Sequence, residues 1–387
     1  MDFEAVDFWG LDAELSEEEI QIRNAVRAMV DREVLPIIGK CFEEGHFPMH
    51  VIPVVAEMGL LGANLHGYGC PGIGEVAYGL VMQELERGDS GIRSFVSVQG
   101  SLAMYPIYTF GSDEQRQKWL PGMAKGEIIG CFGLTEPDFG SNPAGMRTYA
   151  VKASDRWVIT GNKMWITNGN IAQVAVIWAG TEDGFRGFIV PTDTPGFRAR
   201  LVEHKFSLRA SVTSELILDN VEVPLDAVLP GVVGLKGALA CLSAARYGIS
   251  WGVVGSAMAV YDEALRYAKE RVQFSKPIAG YQLVQEKLVE MLTEISKAQL
   301  VNLRMGRMKE RGLLRPHHIS FAKRNNVAMA RRTAQLGREI LGANGIMYDY
   351  QVGRHLCNIE TVYTYEGTHD IHTLVLGKEI TKIAAFE

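Results

Sequence analysis

Apolar positions along this chain change their spacing twice. Behind Ser16-Glu17-Glu18-Glu19, which has capping-box spacing, Ile20, Ile22, Val26, Met29 and Val30 recur at helical intervals. The same period runs through Val54 to Leu61, Ala77 to Glu86 and Ser101 to Phe110, so the first block reads as helix. From about Gly130 the pattern shortens to Trp157-Val158-Ile159-Thr160, Val174-Ala175-Val176-Ile177-Trp178, Phe188-Ile189-Val190 and Leu216-Ile217-Leu218, punctuated by Asn-Gly, Asp-Gly and Pro-Gly turns. That alternation predicts antiparallel strands. After Pro230-Gly231 long helices return, over about Leu235 to Arg271, Gln282 to Arg311 and Pro316 to Leu341, spacing that favours a helical bundle. The expected fold class is α+β multidomain, with a helical domain over 1–129, a central antiparallel β-domain over 130–232 and a helical bundle over 233–387.

A length of 387 residues fits more than one domain, since single cores stop growing near about 250–300 residues. Hydrophobic residues make up 47% and charged residues 22%, which marks an ordered globular chain, and the net charge of -6 offers no basic surface to nucleic acid. Cys41, Cys70, Cys131, Cys241 and Cys357 form no C-x-x-C pair, which argues against a zinc site or disulfide framework and suits a reducing compartment. No apolar run approaches the roughly 20 residues of a membrane span. Met1 is followed by Asp2-Phe3-Glu4 without a basic segment, so the expected location is the cytoplasm.

Two motif matches fail on inspection. Gly67-Tyr68-Gly69-Cys70-Pro71-Gly72 fits G-x-G-x-x-G, but no strand pattern precedes it, and Pro71 removes a backbone donor that a pyrophosphate needs. Glu-x-x-His occurs at Glu43–His46 and Glu366–His369, and two such pairs in a helical bundle are a known di-metal arrangement. Gly45 and Gly367 sit inside them, so a di-metal oxygenase is only a distant alternative.

The richest segment is Tyr363-Thr364-Tyr365-Glu366-Gly367-Thr368-His369-Asp370-Ile371-His372. A carboxylate among aromatics becomes a useful base when burial lifts its pKa toward about 6 to 7. The alternative is a glutamate beside a helix start, capped by Thr368 and Asp370. Glu84, Glu86, Arg87, Asp89 and Arg93 form a charge-rich run whose ordinary fate is a surface or interdomain ion pair. Trp165 alone reads as a core aromatic, and Arg271 as a helix-ending cation. His369 and His372 read as packing or capping residues.

Taken in order, several segments change that picture. They are Cys131-Phe132-Gly133-Leu134-Thr135-Glu136-Pro137-Asp138-Phe139-Gly140-Ser141-Asn142-Pro143, Lys163-Met164-Trp165-Ile166-Thr167-Asn168-Gly169 and Lys205-Phe206-Ser207-Leu208-Arg209-Ala210-Ser211. Arg271-Val272-Gln273-Phe274-Ser275-Lys276-Pro277, Leu341-Gly342-Ala343-Asn344-Gly345 and Tyr365-Glu366-Gly367-Thr368 follow. Together they resemble the acyl-CoA dehydrogenase flavoprotein family over nearly the whole chain. The resemblance implies a C-terminal four-helix bundle, FAD held between that bundle and the β-domain, and a homotetramer, a dimer of dimers. It implies that Phe132, Leu134, Thr135, Trp165 and Thr167 line the flavin, with Thr368 and Asp370 beside it. Arg271, Gln273, Phe274, Glu339, Gly342 and Gly345 then meet FAD from an adjoining subunit, and Ser141 contacts the CoA arm. Glu366 takes the α-proton of an acyl-CoA thioester while the β-hydride passes to flavin N5, helped by an oxyanion hole that includes the base's own N–H. Electron-transfer flavoprotein is the implied acceptor. Relatives that place the base elsewhere do so where this chain has Ala245, which has no proton-accepting group.

The stretch from Glu84 to Gln99, with Phe206 to Ser211, Ala245 to Ile249 and Glu366 to His372, is similar to members acting on glutaryl-CoA. There Arg93 grips the distal carboxylate, a task suited to a planar guanidinium. Glu86, Ser94, Tyr365 and Arg246 join it on the substrate side, and oxidation to glutaconyl-CoA is followed by decarboxylation to crotonyl-CoA. Short-chain acyl-CoA dehydrogenase or oxidase, and a non-catalytic acyl-CoA binder, are the alternatives on this fold. Asn142, Ser275 and Ala343 depart from the family pattern, the last two where glycine is usual, and Ile92 and Gly100 depart from the glutaryl type. Ser275 and Ala343 put cofactor retention in question if a positive φ is needed there.

Overall fold

The computed structural model describes residues 6–385; Asp2 to Glu4 lie outside them. The first block holds α1 (Glu17–Met29), α2 (Leu35–Glu44), α3 (Val51–Glu57), α4 (Glu75–Gly88), α5 (Ser90–Ser97), α6 (Tyr105–Phe110) and α7 (Asp113–Ala124). Ser16 opens α1 with the expected reciprocal cap, its hydroxyl accepting from Glu19 N while Glu19 Oε2 accepts from Ser16 N at 2.8 Å. π-turns at Val30–Val34 and Val98–Met104 interrupt what spacing alone reads as plain helix. In the second, Gln99 donates to the Met123 and Ile128 carbonyls and accepts from Gly130 N at 2.7 Å, which ties the helices to the first strand of the next block. The Gly67 motif is a small hairpin, β1 (His66–Gly67) against β2 (Cys70–Pro71), turning through Tyr68 and Gly69 at positive φ. It is strand–turn–strand, not the strand–turn–helix of a dinucleotide site.

β3 (Gly130–Gly133), β4 (Tyr149–Lys152), β5 (Arg156–Thr167), β6 (Val174–Thr181), β7 (Gly184–Pro191), β8 (Phe197–Leu201) and β9 (Thr213–Pro224) form one sheet in the order β3-β6-β4-β5-β9-β8, with β7 on β6. The expectation of a wholly antiparallel sheet is corrected at two pairings. β3 runs parallel to β6, from Gly130↔Val174 to Gly133↔Ile177, and β4 meets β6 in parallel at Tyr149↔Gly180. Parallel neighbours need a long crossover, and the chain between β3 and β6 supplies one, whereas side-chain alternation carries no information on strand direction. β6 is buried on both faces: Val174, Val176 and Trp178 join the core shared with α6, α7 and Ala245, while Ala175, Ile177 and Ala179 face the inner core of the sheet.

The last block holds α8 (Lys236–Glu270), the hairpin β10 (Val272–Gln273) and β11 (Lys276–Pro277), then α9 (Gln282–Glu310), α10 (Pro316–Leu341), α11 (Gln351–Thr364) and α12 (His369–Thr381). Small residues let α8 lie close on α4: a side chain at Gly255 would meet the Gln83 carbonyl at 1.8 Å. Asn302 of α9 and Asn326 of α10 both donate to the Ser250 carbonyl of α8 at 3.0 Å, and Asn326 also donates to Asn302 at 2.8 Å. That buried amide knot fixes the relative heights of the three long helices. No helix among the described residues is long and apolar enough to cross a membrane.

Candidate active site

Glu366 stands in the short link between α11 and α12. Tyr365 N donates to Thr361 O, ending α11, and Thr368 caps α12 by accepting from Ile371 N at 3.1 Å. Between them Glu366 and Gly367 turn through the left-handed region at φ 50° and 86°. For a residue with a Cβ that conformation costs about 1–2 kcal/mol, so neighbours must hold it. They hold all three carbonyls. Lys323 Nζ of α10 donates to Tyr365 O at 2.9 Å and Gly367 O at 2.8 Å, Arg246 Nε of α8 donates to Glu366 O at 2.7 Å, and His372 Nε2 lies 3.3 Å from Glu366 O. The Glu366 backbone N–H has no acceptor among the described residues, and its Oε2 is buried without a partner. Burial lifts the carboxyl pKa to about 6, against the pull of Arg246, Arg93 and Lys323. Such a group is ionised at neutral pH yet basic enough to take a proton.

α4 and α5 bring the charge-rich run inward, which corrects the surface half of its reading: Glu84, Glu86, Arg87, Asp89 and Arg93 are all buried, and Glu84 and Asp89 pair with Arg27 and Arg354 of other elements. Glu84 and Arg87 belong to a structural network with Arg27 and Asp31. Arg93 Nε donates to Glu86 Oε2 at 2.6 Å, Glu86 Oε1 accepts from Ser90 at 2.8 Å, and Arg93 Nη2 donates to the Tyr365 hydroxyl. Ser94 Oγ lies 3.3 Å from that hydroxyl, and Arg93 Nη1 has no acceptor among the described residues. Asp89 aligns the group by accepting from Gly91 N, Arg354 at 2.5 Å and Asn358 at 2.8 Å, which binds the start of α5 to α11. Glu86, Arg93, Ser94, Arg246, Tyr365 and Glu366 therefore form one cluster.

The residues expected to face a flavin divide into two groups. Phe132 and Leu134 share a core with Cys241 and Ala245, one residue before Arg246, so β3 and the helix that carries the Glu366 contact border the same apolar core, with the Val98–Met104 π-turn against both. Thr135 O accepts from Met164 N at 2.8 Å, where the β5–β9 register shifts between Lys163 and Ile166. That bulge turns Trp165 outward at φ 64° and leaves it 58% exposed, excluding its reading as a core aromatic. Beneath it, buried Lys163 donates to Glu136 at 2.8 Å and Leu134 O at 3.1 Å, stiffening the segment. Thr167 ends β5 opposite Thr213, Asp370 is exposed in the first turn of α12, and Ser141 is exposed in the loop before Pro143. The second group gathers at the far end of the bundle. Arg271 closes α8; Gln273 and Phe274 lie on the following hairpin; Glu339 pairs with Lys287; Gly342 and Gly345 follow α10. With about 1.5 Å per residue, Arg271 lies about 38 Å along α8 from Arg246, so these residues do not reach the Glu366 of their own chain.

Both Glu-x-x-His pairs are broken by a left-handed glycine, Gly45 at φ 76° and Gly367 at 86°, so neither sets Glu and His on one helical turn. His369 stacks on Tyr363 at 4.6 Å, but His372 does more than pack, its ring meeting the Glu366 carbonyl. Burial and the nearby Lys323 and Arg246 push its pKa down to about 3, so it is neutral. Sequence reasoning passed over Lys323. The signal was present: Ile319, Ala322, Lys323, Asn326, Val327 and Ala330 share the buried stripe of α10, and a lysine there is out of place.

The chain matches the family models described as acyl-CoA dehydrogenase N-terminal, middle and C-terminal domains over residues 16–127, 131–221 and 233–381. It is 34% identical over 382 residues to a probable acyl-CoA dehydrogenase of Bacillus subtilis, covering 96% of this chain and 100% of the relative. A crystal structure of glutaryl-CoA dehydrogenase from Mycobacterium smegmatis has 53% identity and a TM-score of 0.98, with both chains covered in full. A second from that organism, in complex with FADH2, has 49% identity, the same TM-score and full coverage of both.

Proposed function

This chain belongs to the acyl-CoA dehydrogenase family, and we propose that it oxidises glutaryl-CoA, with Glu366 removing the α-proton. It is a FAD-dependent acyl-CoA dehydrogenase of the glutaryl-CoA type. The observation that carries the substrate assignment is Arg93. A buried guanidinium already neutralised by Glu86 has no structural need for an unused Nη1, and a carboxylate at the end of a short acyl chain is a natural acceptor. Tyr365 and Ser94 supply hydroxyls beside it.

The residues fit a flavin on the grounds of an exposed indole held out by a strained bulge and a base whose buried Oε2 lacks a partner. Phe132, Leu134, Thr135, Trp165 and Thr167 hold it from the β-domain, with Thr368 and Asp370 beside the base. Arg271, Gln273, Phe274, Glu339, Gly342 and Gly345 serve the cofactor of an adjoining subunit in a homotetramer. When bound, FAD supplies the acceptor for the electron pair leaving the β-carbon. Glu366 takes the proton from the α-carbon, and its N–H donates to the thioester oxygen as charge develops there. Ser141 contacts the CoA arm, and Arg246 keeps the base's carbonyl turned away from the substrate. After oxidation the distal carboxylate leaves glutaconyl-CoA as CO2, and protonated Glu366 returns a proton to give crotonyl-CoA. The boundaries 1–129, 130–232 and 233–387 for the three domains, a cytoplasmic location and electron-transfer flavoprotein as acceptor complete the proposal.

Anaerobic mixing with glutaryl-CoA and, separately, butyryl-CoA tests it through flavin absorbance and product analysis. Glutaryl-CoA is expected to bleach the flavin faster and yield crotonyl-CoA. Faster bleaching by butyryl-CoA would remove Arg93 from substrate recognition, and glutaconyl-CoA as final product would remove decarboxylation. Arg93→Met is expected to lose the glutaryl preference by about 10- to 150-fold, the loss of a charged hydrogen bond.

A further inference from the structure

We propose that Lys323 is a positioning residue for Glu366, holding the left-handed link so that the base's N–H and carboxylate are presented together. This rests on Glu366 being the base. One ammonium bridges the carbonyls on either side of Glu366, Tyr365 O at 2.9 Å and Gly367 O at 2.8 Å. In a trans peptide the C=O and the following N–H point in opposite directions. Drawing Tyr365 O toward Lys323 therefore turns the Glu366 N–H away from it, where it has no acceptor among the described residues. Arg246 does the same for the next peptide by holding Glu366 O. The two cations set the orientations of consecutive peptides in the link.

A purely structural clamp would not require a charge here. Lys323 is 1% exposed, donates only to neutral carbonyls and forms no ion pair among the described residues, which is a costly way to bind backbone. Its compensation is the nearby Glu366 carboxylate. Burial pushes Lys323 down to about 7 while Glu366 opposes that, and burial pushes Glu366 up to about 6 while Arg246, Arg93 and Lys323 oppose that. The remaining titratable groups near the carboxyl and Lys323 are Tyr78 on α4, Cys241 on α8, Tyr365 in the link, and His369 and His372 on α12. Burial pushes Tyr78 and Tyr365 up to about 12, the Cys241 thiol goes up, and His372 goes down to about 3, so these four are neutral between pH 5 and 9, while burial lowers His369 as well. The asparagine knot at Asn326, one turn along α10, fixes the height at which Lys323 meets the link.

The test compares Lys323→Met and Lys323→Arg with wild type as flavin-loaded holoenzymes, each normalised to bound flavin. One readout is the pH profile of substrate-driven flavin reduction. The other, independent of turnover, is the infrared carboxyl band of Glu366, assigned by difference against Glu366→Gln. Wild type is expected to lose rate on both sides of an optimum, below about pH 6 as Glu366 protonates and at higher pH as Lys323 becomes neutral. Lys323→Met should reduce the rate at least about tenfold with KM less affected, and move the Glu366 band titration upward. Lys323→Arg should keep the acid limb and lose the alkaline one. Unchanged rate profile and band titration in Lys323→Met, with only lower thermal stability, would overturn the proposal by reducing Lys323 to a structural clamp. If Lys323→Met does not fold, an alkaline limb that persists in Lys323→Arg overturns it equally. Retained flavin reduction in Glu366→Gln would instead defeat the base assignment, whatever the Lys323 variants do.

Discussion

Two features of Glu366, its left-handed backbone and its buried carboxylate, work against folding. Its pKa of about 6 in the folded chain lies above the 4.5 of an unperturbed glutamate. The folded state therefore holds the proton more tightly, and the resulting stability is full below about pH 4.5 and lost as pH rises through 6. Glu366→Gln is expected to abolish flavin bleaching. It should also raise stability at pH 8 by about 2 kcal/mol, the difference between 4.5 and about 6 taken at about 1.4 kcal/mol per pH unit, with almost no gain at pH 4.5. Thermal melts of holoenzyme at the two pH values check this, and equal gains at both would contradict it. His372 has the opposite sign: its lowered pKa gives stability that is present above about pH 6.5 and lost as pH falls toward 3. At this scale the sequence exposed the groups that stand in a motif, such as Glu366 and Arg93. It hid Lys323 and the Asp89–Arg354–Asn358 bracket, because their partners lie on other helices.

Turns and bulges hold the strain at the scale of elements. The hairpin of β10 and β11 turns through Phe274 at φ 50° and Ser275 at 70°, the mirror-image turn that normally has Asn-Gly. Ser275 therefore departs from the family at a position where glycine is relaxed, whereas Ala343 is not among the residues of positive φ. Ser275→Gly is expected to stabilise the fold by up to about 1 kcal/mol, read by denaturant midpoint, and no gain would mean that packing outweighs the backbone there. The long helices were legible almost to the residue because their period persists over many turns. The Trp165 bulge and the parallel β3–β6 pairing were not, since period-two alternation reports which face is buried and neither the direction of a neighbour nor an added residue.

For the whole molecule, the far end of the bundle presents an exposed apolar surface. Phe274 is 92% exposed, with Val272, Leu283 and Val289 also exposed on the hairpin and the start of α9. Such apolar exposure beside Arg271 and Gln273 is expected of a face that another copy covers. Phe274→Ser should lower the oligomer size in light scattering and release flavin on dilution, while a variant of unchanged size and flavin content would separate this face from assembly. α8 relates that end to the active site. Along one rod it sets Cys241 and Ala245 in the core shared with β3, reaches the base with Arg246, passes Gly252 beneath the Glu86–Arg93 pair, and steadies the start of α11 through Glu263, which accepts from Val352 N at 3.0 Å. Adding or removing one residue would turn everything beyond it by about 100°. Between Cys241 and Glu263 the helix therefore acts as a vernier: its residue count is as much an invariant of the machine as Gly252 and Gly255, which let it lie close.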